Sequence, residues 1–555
     1  MKEFIVLNFS EVNLMKLKEN SSKQKIRGAY YTPNKLANAM VQFFASKNIK
    51  TVLEPSCGDG VFLDSLKNIG LLNNINELEA VEIETSEAMK VSEKYKDISQ
   101  VKVLNQDFFD FYKENLNKKT YDLIIGNPPY IRYQYLKKSQ RDCQAQILTS
   151  HGMKSNKLIN VWVAFMVSCV QLLSKKGKIA FVIPAEILQV AYAEDLRLYL
   201  TNHLSKITLI TFKQLVFPNI EQEIIVFIGE KGNTENGIRI IEMDNLNEFD
   251  TLKLDANDFQ PVQHVKEKWT KYFINNREIK LIQQLKLDNR FARFSEYGRI
   301  NVGITTGNNN YFSITEETTN HYKLKNATLP LIGRSSHTRG IYFTKEDWNL
   351  NKTTGKSARL VYFPNIPYEN YPQEYKNYIL AGESNNEHKG YKCSIRDRWY
   401  IVPSVWIPDA FFLRRSNLYP KFVLNACDSV STDTMHRIKF NDDVEPENVL
   451  LSYYNSISFA FTEICGRSYG GGVLEILPGE MSNILLPKIE YINPIFRKKL
   501  LKEIDNLIRN NDNIEKVLDL VDNKILVELL NIDKDICCTC RNIWKKLQQR
   551  RLRRS

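Results

Sequence analysis

No stretch of the chain reaches the ~18 apolar residues of a membrane-spanning helix, and the start lacks the apolar core of a signal peptide. The nine cysteines are scattered without a secreted framework, so a reducing, cytoplasmic compartment is expected. Only Cys537, Cys538 and Cys540 cluster. They lack the second pair or nearby histidines that zinc would need, and no metal is expected there. No acid-acid-lysine cluster marks a nuclease. Acidic residues are in deficit, 64 against 76 basic ones, and the net charge of +12 suits a polyanionic partner. What the chain does have is length and apolar content. At 555 residues and 43% hydrophobic it can build two or three domains with real cores.

One stretch organises the rest. Tyr121 to Ile125 reads as a buried parallel strand that delivers Asn127-Pro128-Pro129-Tyr130 to its carboxyl end. Two prolines fix φ and remove two N–H donors, leaving a stiff loop rich in free carbonyls beside one amide and one ring. Such a loop suits a planar group carrying an NH₂. Acceptors gripping the two amine hydrogens draw the delocalised lone pair out without a strong base.

Upstream, Tyr31-Thr32-Pro33 opens an apolar-faced helix, with Thr32 expected as N-cap and Pro33 as first helical residue; its N-terminus suits an anion. Thr51 to Glu54 reads as a strand, followed by the tight loop Pro55-Ser56-Cys57-Gly58-Asp59-Gly60 at the first strand-to-helix turn, where open α/β sheets bind ligands. The G-x-G-x-x-G spacing is missing, and Glu54 with Asp59 argue for an amine or cation rather than a phosphate. A second strand, Leu78 to Ile83, ends with Glu82 and Glu84, where an acid commonly meets ribose hydroxyls. A third strand gives way to Asp107-Phe108, able to take an adenine amine and its face. Residues 131–158 show no period and are expected to form a mobile loop. A long helix carrying Phe165 follows, then a turn at Lys175–Lys178, a fifth strand, a helix, a sixth strand, the loop Val216-Phe217-Pro218, and a seventh strand pairing antiparallel with the sixth.

Residues 231–292 read as a polar connector with a helix at Lys271 to Leu287. From 293 the composition turns aromatic and basic. Arg334, Arg396, Arg398 and Arg467, with Ser468 and Tyr469, are candidate contacts to phosphates and base edges, phosphates being the commoner partners of such arginines. Gly466-x-Ser468-x-Gly470 matches a hydrolase elbow only formally, without the strand before and helix after. Residues 491–555 are expected to be helical, ending in a basic tail, Arg550 to Ser555, solvated or touching phosphates.

With these pieces in order, residues 28–230 resemble the catalytic domain of the gamma-class N6-adenine DNA methyltransferases, the TaqI-like modification methylases. The resemblance implies an α/β fold: a seven-stranded, Rossmann-like class I methyltransferase sheet that binds S-adenosylmethionine. Residues 1–27 would be an arm, 293–490 a mixed α+β target-recognition domain, more weakly resembled. It implies that Tyr31, Thr32 and Pro33 meet the methionine end of the cofactor. Glu54, Ser56, Gly58 and Gly60 would hold its amino group and sulfonium side, and Glu82 with Ile83 its ribose. Asp107, Phe108 and Phe165 would meet its adenine, with Asn127 and Pro129 lining the site. Asn127 and the Pro128 carbonyl would grip the target amine while Tyr130 and Phe217 stack on the flipped base. Cys57 departs from the alanine or glycine common at that position. The expected partner is double-stranded DNA, with a separate cognate restriction endonuclease possible and a monomer favoured. Asn-Pro-Pro-Tyr also serves RNA and protein glutamine; the long basic second half speaks for DNA. A silent DNA-binding subunit is disfavoured by Asn127, Tyr130, Glu54 and Glu82.

Overall fold

The computed structural model describes residues 31–156, 159–213, 216, 223–232, 235–251, 259–262, 266–469 and 472–552. The expected N-terminal arm, Phe217 and Pro218 lie outside them, as do Gly470, Gly471 and the last three residues of the basic tail. The chain forms two compact units, Met1–Phe273 and Ile274–Ser555.

The first unit is built on one sheet. Its strands are β1 (Thr51–Glu54), β2 (Glu77–Glu82), β3 (Val101–Asn105), β4 (Tyr121–Gly126), β5 (Leu173–Pro184), β6 (Lys206–Phe212), β7 (Ile224–Glu230) and β8 (Gly237–Met243). They lie in the order β3-β2-β1-β4-β5-β7-β6-β8. β7 runs antiparallel to both β5 and β6, as the sixth and seventh strands were expected to pair. The central strands are apolar on both faces, as a sheet covered by helices requires. Chain order reverses direction between β1 and β4, and the crevice outside their carboxyl ends is where such sheets bind ligands.

Several expectations need correction. The sheet has eight strands, not seven: β8, from the stretch read as a connector, pairs in parallel with β6. Its apolar Ile238, Ile240 and Ile241 lie among polar neighbours that hid it. Residues 131–156, the described part of the stretch expected to be a mobile loop, hold a helix instead. That helix, Lys138–Ser150, follows a turn at Tyr133–Tyr135, and its few buried positions (Cys143, Gln144, Ile147, Leu148) are too sparse to print a period. Lys175–Lys178 is not a break, because β5 starts at Leu173 and absorbs the extra residues in a register shift against Tyr121/Leu123. The helix Asn34–Gln42 begins one residue late, with Pro33 rather than Thr32 as N-cap, and no side chain caps it. Helix Asn276–Leu287 starts under an Asn275 capping box, after a separate turn at Trp269–Phe273.

The second unit holds a five-stranded sheet in the order Gly298–Val302, Met435–Phe440, Ala410–Leu413, Phe422–Ala426, Tyr342–Thr344. A four-stranded sheet packs with an aromatic core in which the Tyr311 and Tyr378 rings stack at 4.6 Å. Helices Pro494–Arg509, Ile514–Val521 and Lys534–Leu552 lie in the segment expected to be helical. Around 466–472 a helix (Ser456–Cys465) precedes a strand (Arg467–Tyr469), the reverse of a nucleophile elbow. One residue of the expected basic tail is corrected. Arg551 is buried, 2.8 Å from Glu463 with both side chains 3% exposed, and donates to the Gly472 carbonyl. It is a strut of this unit rather than a free phosphate contact.

Candidate active site

The site is assembled where β1, β2, β3 and β4 end. Glu54 closes β1 at 1% exposure, and its Oε2 has no hydrogen-bond partner among the described residues. Burial, then the charges of Asp59, Glu82 and Asp64, push its carboxyl well above the usual range. A buried acceptor beside further acids awaits a cation. Gly126 at the end of β4 faces the same residues: a Cβ there would make ordinary contact, 3.7 Å from the Glu54 side chain and 3.5 Å from Pro55.

The loop after β1 is turned by Gly58 (φ 53°) and Gly60 (φ 83°), the left-handed region that side chains avoid. A Cβ on Gly60 would also press on both Val91 methyls at 3.2 Å. The Gly58 N–H donates to Glu82 Oε2 and the Glu84 N–H to Glu82 Oε1, each at 2.8 Å, so the carboxylate is aimed by backbone donors while keeping lone pairs to spare. Asn105 fixes the exposed Ile83 by donating to the Glu82 and Ile83 carbonyls. The Tyr31 ring borders the same loop, 3.6 Å from where a Gly58 Cβ would stand; Thr32 is buried and Pro33 half-buried. Burial, helped by Glu87, raises the Tyr31 phenol. The Cys57 thiol is buried, pushed far up by burial and inert at ordinary pH.

Asp107 caps the helix Phe108–Asn115, its Oδ1 accepting from the Phe109 N–H at 2.8 Å. Its Oδ2 accepts from Gln140 Nε2 at 2.7 Å, and Gln140 Oε1 accepts from the Lys137 N–H. The Phe108 and Phe165 rings stack on each other at 4.5 Å.

Asn127, Pro128, Pro129 and Tyr130 leave β4 beside this loop. Ser56 Oγ donates to the Asn127 carbonyl at 3.2 Å, and the Tyr130 hydroxyl donates to the Val182 carbonyl of β5 at 3.0 Å. Asn127 Oδ1 is shielded from solvent, and Tyr130 is 8% exposed. The tetrapeptide is therefore held from three strands. Sequence reasoning missed Gln140, Asn105 and the Val182 carbonyl. Only a side-chain amide followed by helix-forming residues could have flagged the first.

In the second unit most candidate contacts are engaged within their own fold. Arg396 donates to the Thr305 and Trp399 carbonyls, Arg398 to the Ile366 carbonyl and Asn365, and Arg467 pairs with Glu480 at 2.7 Å. Arg334 is exposed, Ser468 half-buried, and Tyr469 lies on the strand after them.

Comparison with known proteins accords with this geometry. Residues 24–217 match the Eco57I restriction-modification methylase model and residues 266–526 the model "Type II methyltransferase M.Eco57I, C-terminal domain". Type II methyltransferase M.AccI of Acinetobacter calcoaceticus is 25% identical over 95% of this chain and 97% of its own length. M.HindII of Haemophilus influenzae is 26% identical over 93% and 98% respectively. Among solved structures, the nuclease-deletion mutant of the Type ISP restriction-modification enzyme LlaGI covers 87% of this chain and 55% of its own at 12% identity and a TM-score of 0.49. The two family models and the type II methyltransferase relatives define a methyltransferase of the restriction–modification kind. The chain belongs to the Eco57I-type restriction-modification methylases, which bears out the family read from Asn127–Tyr130.

Proposed function

We propose that the protein is a site-specific DNA methyltransferase that transfers a methyl group from S-adenosylmethionine to the N6 of a flipped adenine, as the modification enzyme of a type II system. The observation that carries this is the juxtaposition of an unpartnered, solvent-sealed Glu54 oxygen with the rigid Asn127–Tyr130 loop, joined through Ser56. Glu54 fits the cofactor's ammonium, the backbone-aimed Glu82 its ribose hydroxyls, and the uncapped helix start after Tyr31-Thr32-Pro33 its carboxylate. Ile83, Phe108 and Phe165 offer apolar surface for its adenine and Asp107 an acceptor for the amine; Gly58, Gly60 and Pro129 supply close backbone.

When bound, the cofactor supplies an electrophilic methyl group on a sulfonium. The chain does the rest. Taking a base out of the stack costs a few kcal/mol. Stacking on Tyr130 and, by the family pattern, Phe217 recovers roughly 1–3 kcal/mol for each such contact. The Asn127 side-chain oxygen and the Pro128 carbonyl accept the two N6 hydrogens, and their pull strengthens as the nitrogen gains positive charge. With the cofactor bound, the gripped amine would take the methyl as the sulfonium gives up its S–C bond, and the nitrogen would then shed a proton to water. The Tyr130–Val182 and Ser56–Asn127 hydrogen bonds keep the acceptors from following the base. Double-stranded DNA is the partner this requires, with a cognate endonuclease acting separately.

The test is sequencing with modification detection of DNA from a host expressing the protein, beside Asn127→Ala. N6-methyladenine at one recurrent sequence is expected, lost in the variant while cofactor affinity holds. Methyl transfer by Asn127→Ala within tenfold of wild type removes Asn127 from its role.

A further inference from the structure

The second unit contains an open cavity of about 460 Å³ lined by Asn301, Val302, Thr305, Ser404, Trp406 and Arg437, among others. Arg437 lies on the strand Met435–Phe440 and is 5% exposed. Its Nε donates to the Val302 carbonyl at 3.0 Å and its Nη1 to the Ser404 carbonyl at 2.8 Å, while its Cζ sits 4.5 Å from the centre of the Trp406 ring. These contacts lock the guanidinium plane. Of the three arginines buried in this unit, Arg359 holds Glu316 and Arg551 holds Glu463. Arg437 holds no carboxylate among the described residues, and its Nη2 donates to no protein acceptor there. An unpaired buried cation is unfavourable unless a ligand completes it. Asp409, the acid just before the adjoining strand Ala410–Leu413, is answered by Lys439 at 2.8 Å. Val302 is 40% exposed and Ser404 exposed, so the cavity is reachable.

We propose that this cavity is an oxyanion site in which Arg437 grips a phosphate group, the backbone phosphodiester of bound DNA. The proposal rests on the DNA-methyltransferase reading above. A fixed guanidinium offering a free edge matches phosphate oxygens, and each such contact releases counterions from DNA.

The test is Asn301→Asp. Asn301 is exposed and pairs directly with Arg437 across the two strands, so an aspartate there supplies the missing carboxylate while the bonds to Val302 and Ser404 stay. Arg437→Gln, checked for folding by circular dichroism, is the second variant. In the first arm, inorganic phosphate against chloride at matched ionic strength raises the melting temperature of wild type more than that of Asn301→Asp; equal shifts overturn the site. In the second arm, duplex affinity falls three- to tenfold in both variants and the slope of log K against log salt becomes shallower by about one. Phosphate protection with an unchanged slope overturns the DNA source and leaves a free phosphate ester as the ligand. Absence of methyl transfer to any DNA by the wild type strikes the underlying reading instead, because the phosphate arm judges the cavity by itself.

Discussion

Replacing Glu54 by glutamine separates what this carboxyl costs the fold from what it offers a ligand. In wild type its pKa in the folded state lies well above the unfolded value, chiefly through burial and then through Asp59, Glu82 and Asp64. A carboxyl raised in this way leaves the fold untouched below its unfolded pKa, weakens it progressively as pH rises between the two values, and adds no further cost above the folded one. Within that window each pH unit costs about 1.4 kcal/mol relative to a neutral side chain. Glutamine leaves a buried amide in place of the unpartnered Oε2, at about 1–3 kcal/mol, but that cost does not depend on pH. The variant's stability relative to wild type therefore grows with pH from about 5 upward and then levels off. At roughly 2–4 °C per kcal/mol the change is readable as melting temperature in ligand-free protein. Cofactor binding moves the other way: losing a charge-assisted bond to an ammonium, worth about 1.5–3 kcal/mol, weakens affinity roughly ten- to a hundredfold by calorimetry. A stability difference that is flat across pH 5 to 8 refutes the raised carboxyl, and unchanged cofactor affinity refutes its role as the cation's partner.

Gln140→Ala removes the bond to Asp107 Oδ2, and about 1 kcal/mol of positioning should appear as a roughly fivefold weaker cofactor affinity with kcat preserved. An unchanged affinity means that the Phe109 N–H alone positions Asp107. Deleting the chain after Gln549 removes Arg551 from the buried pair with Glu463 and should destabilise the second unit by about 3–5 kcal/mol in chemical denaturation. A truncated protein of wild-type stability that merely binds DNA less tightly restores the reading of this tail as a surface arm.

How much of this was readable in the chain follows from how local each signal is. β1, β2 and β4 could be read because each is a short apolar run ended by its own turn chemistry, so Glu54, Glu82 and Asn127 could be placed at strand ends from neighbours alone. β8 could not, since its burial depends on pairing with β6, 31 residues earlier, and its polar surroundings resemble a linker. Helix Lys138–Ser150 was missed for a related reason. It exposes most of its surface and buries only a few side chains, while its decisive residue, Gln140, works through a single hydrogen bond to Asp107. Arg551 looked like part of a charged tail because charge is visible in a sequence and a buried counterion 88 residues away is not.

The acceptor loop shows the same division. Pro128 and Pro129 make stiffness a property of the chain itself, but stiffness alone does not aim an amide. Aim comes from Ser56 on the loop after β1 and from the Val182 carbonyl of β5, which the Tyr130 hydroxyl reaches across the sheet. Both anchors are at strand ends that only the parallel order β1-β4-β5 brings together. The chemistry proposed for Asn127 thus depends on sheet topology as much as on the tetrapeptide, and the same four residues on a free loop would carry the stiffness without the geometry.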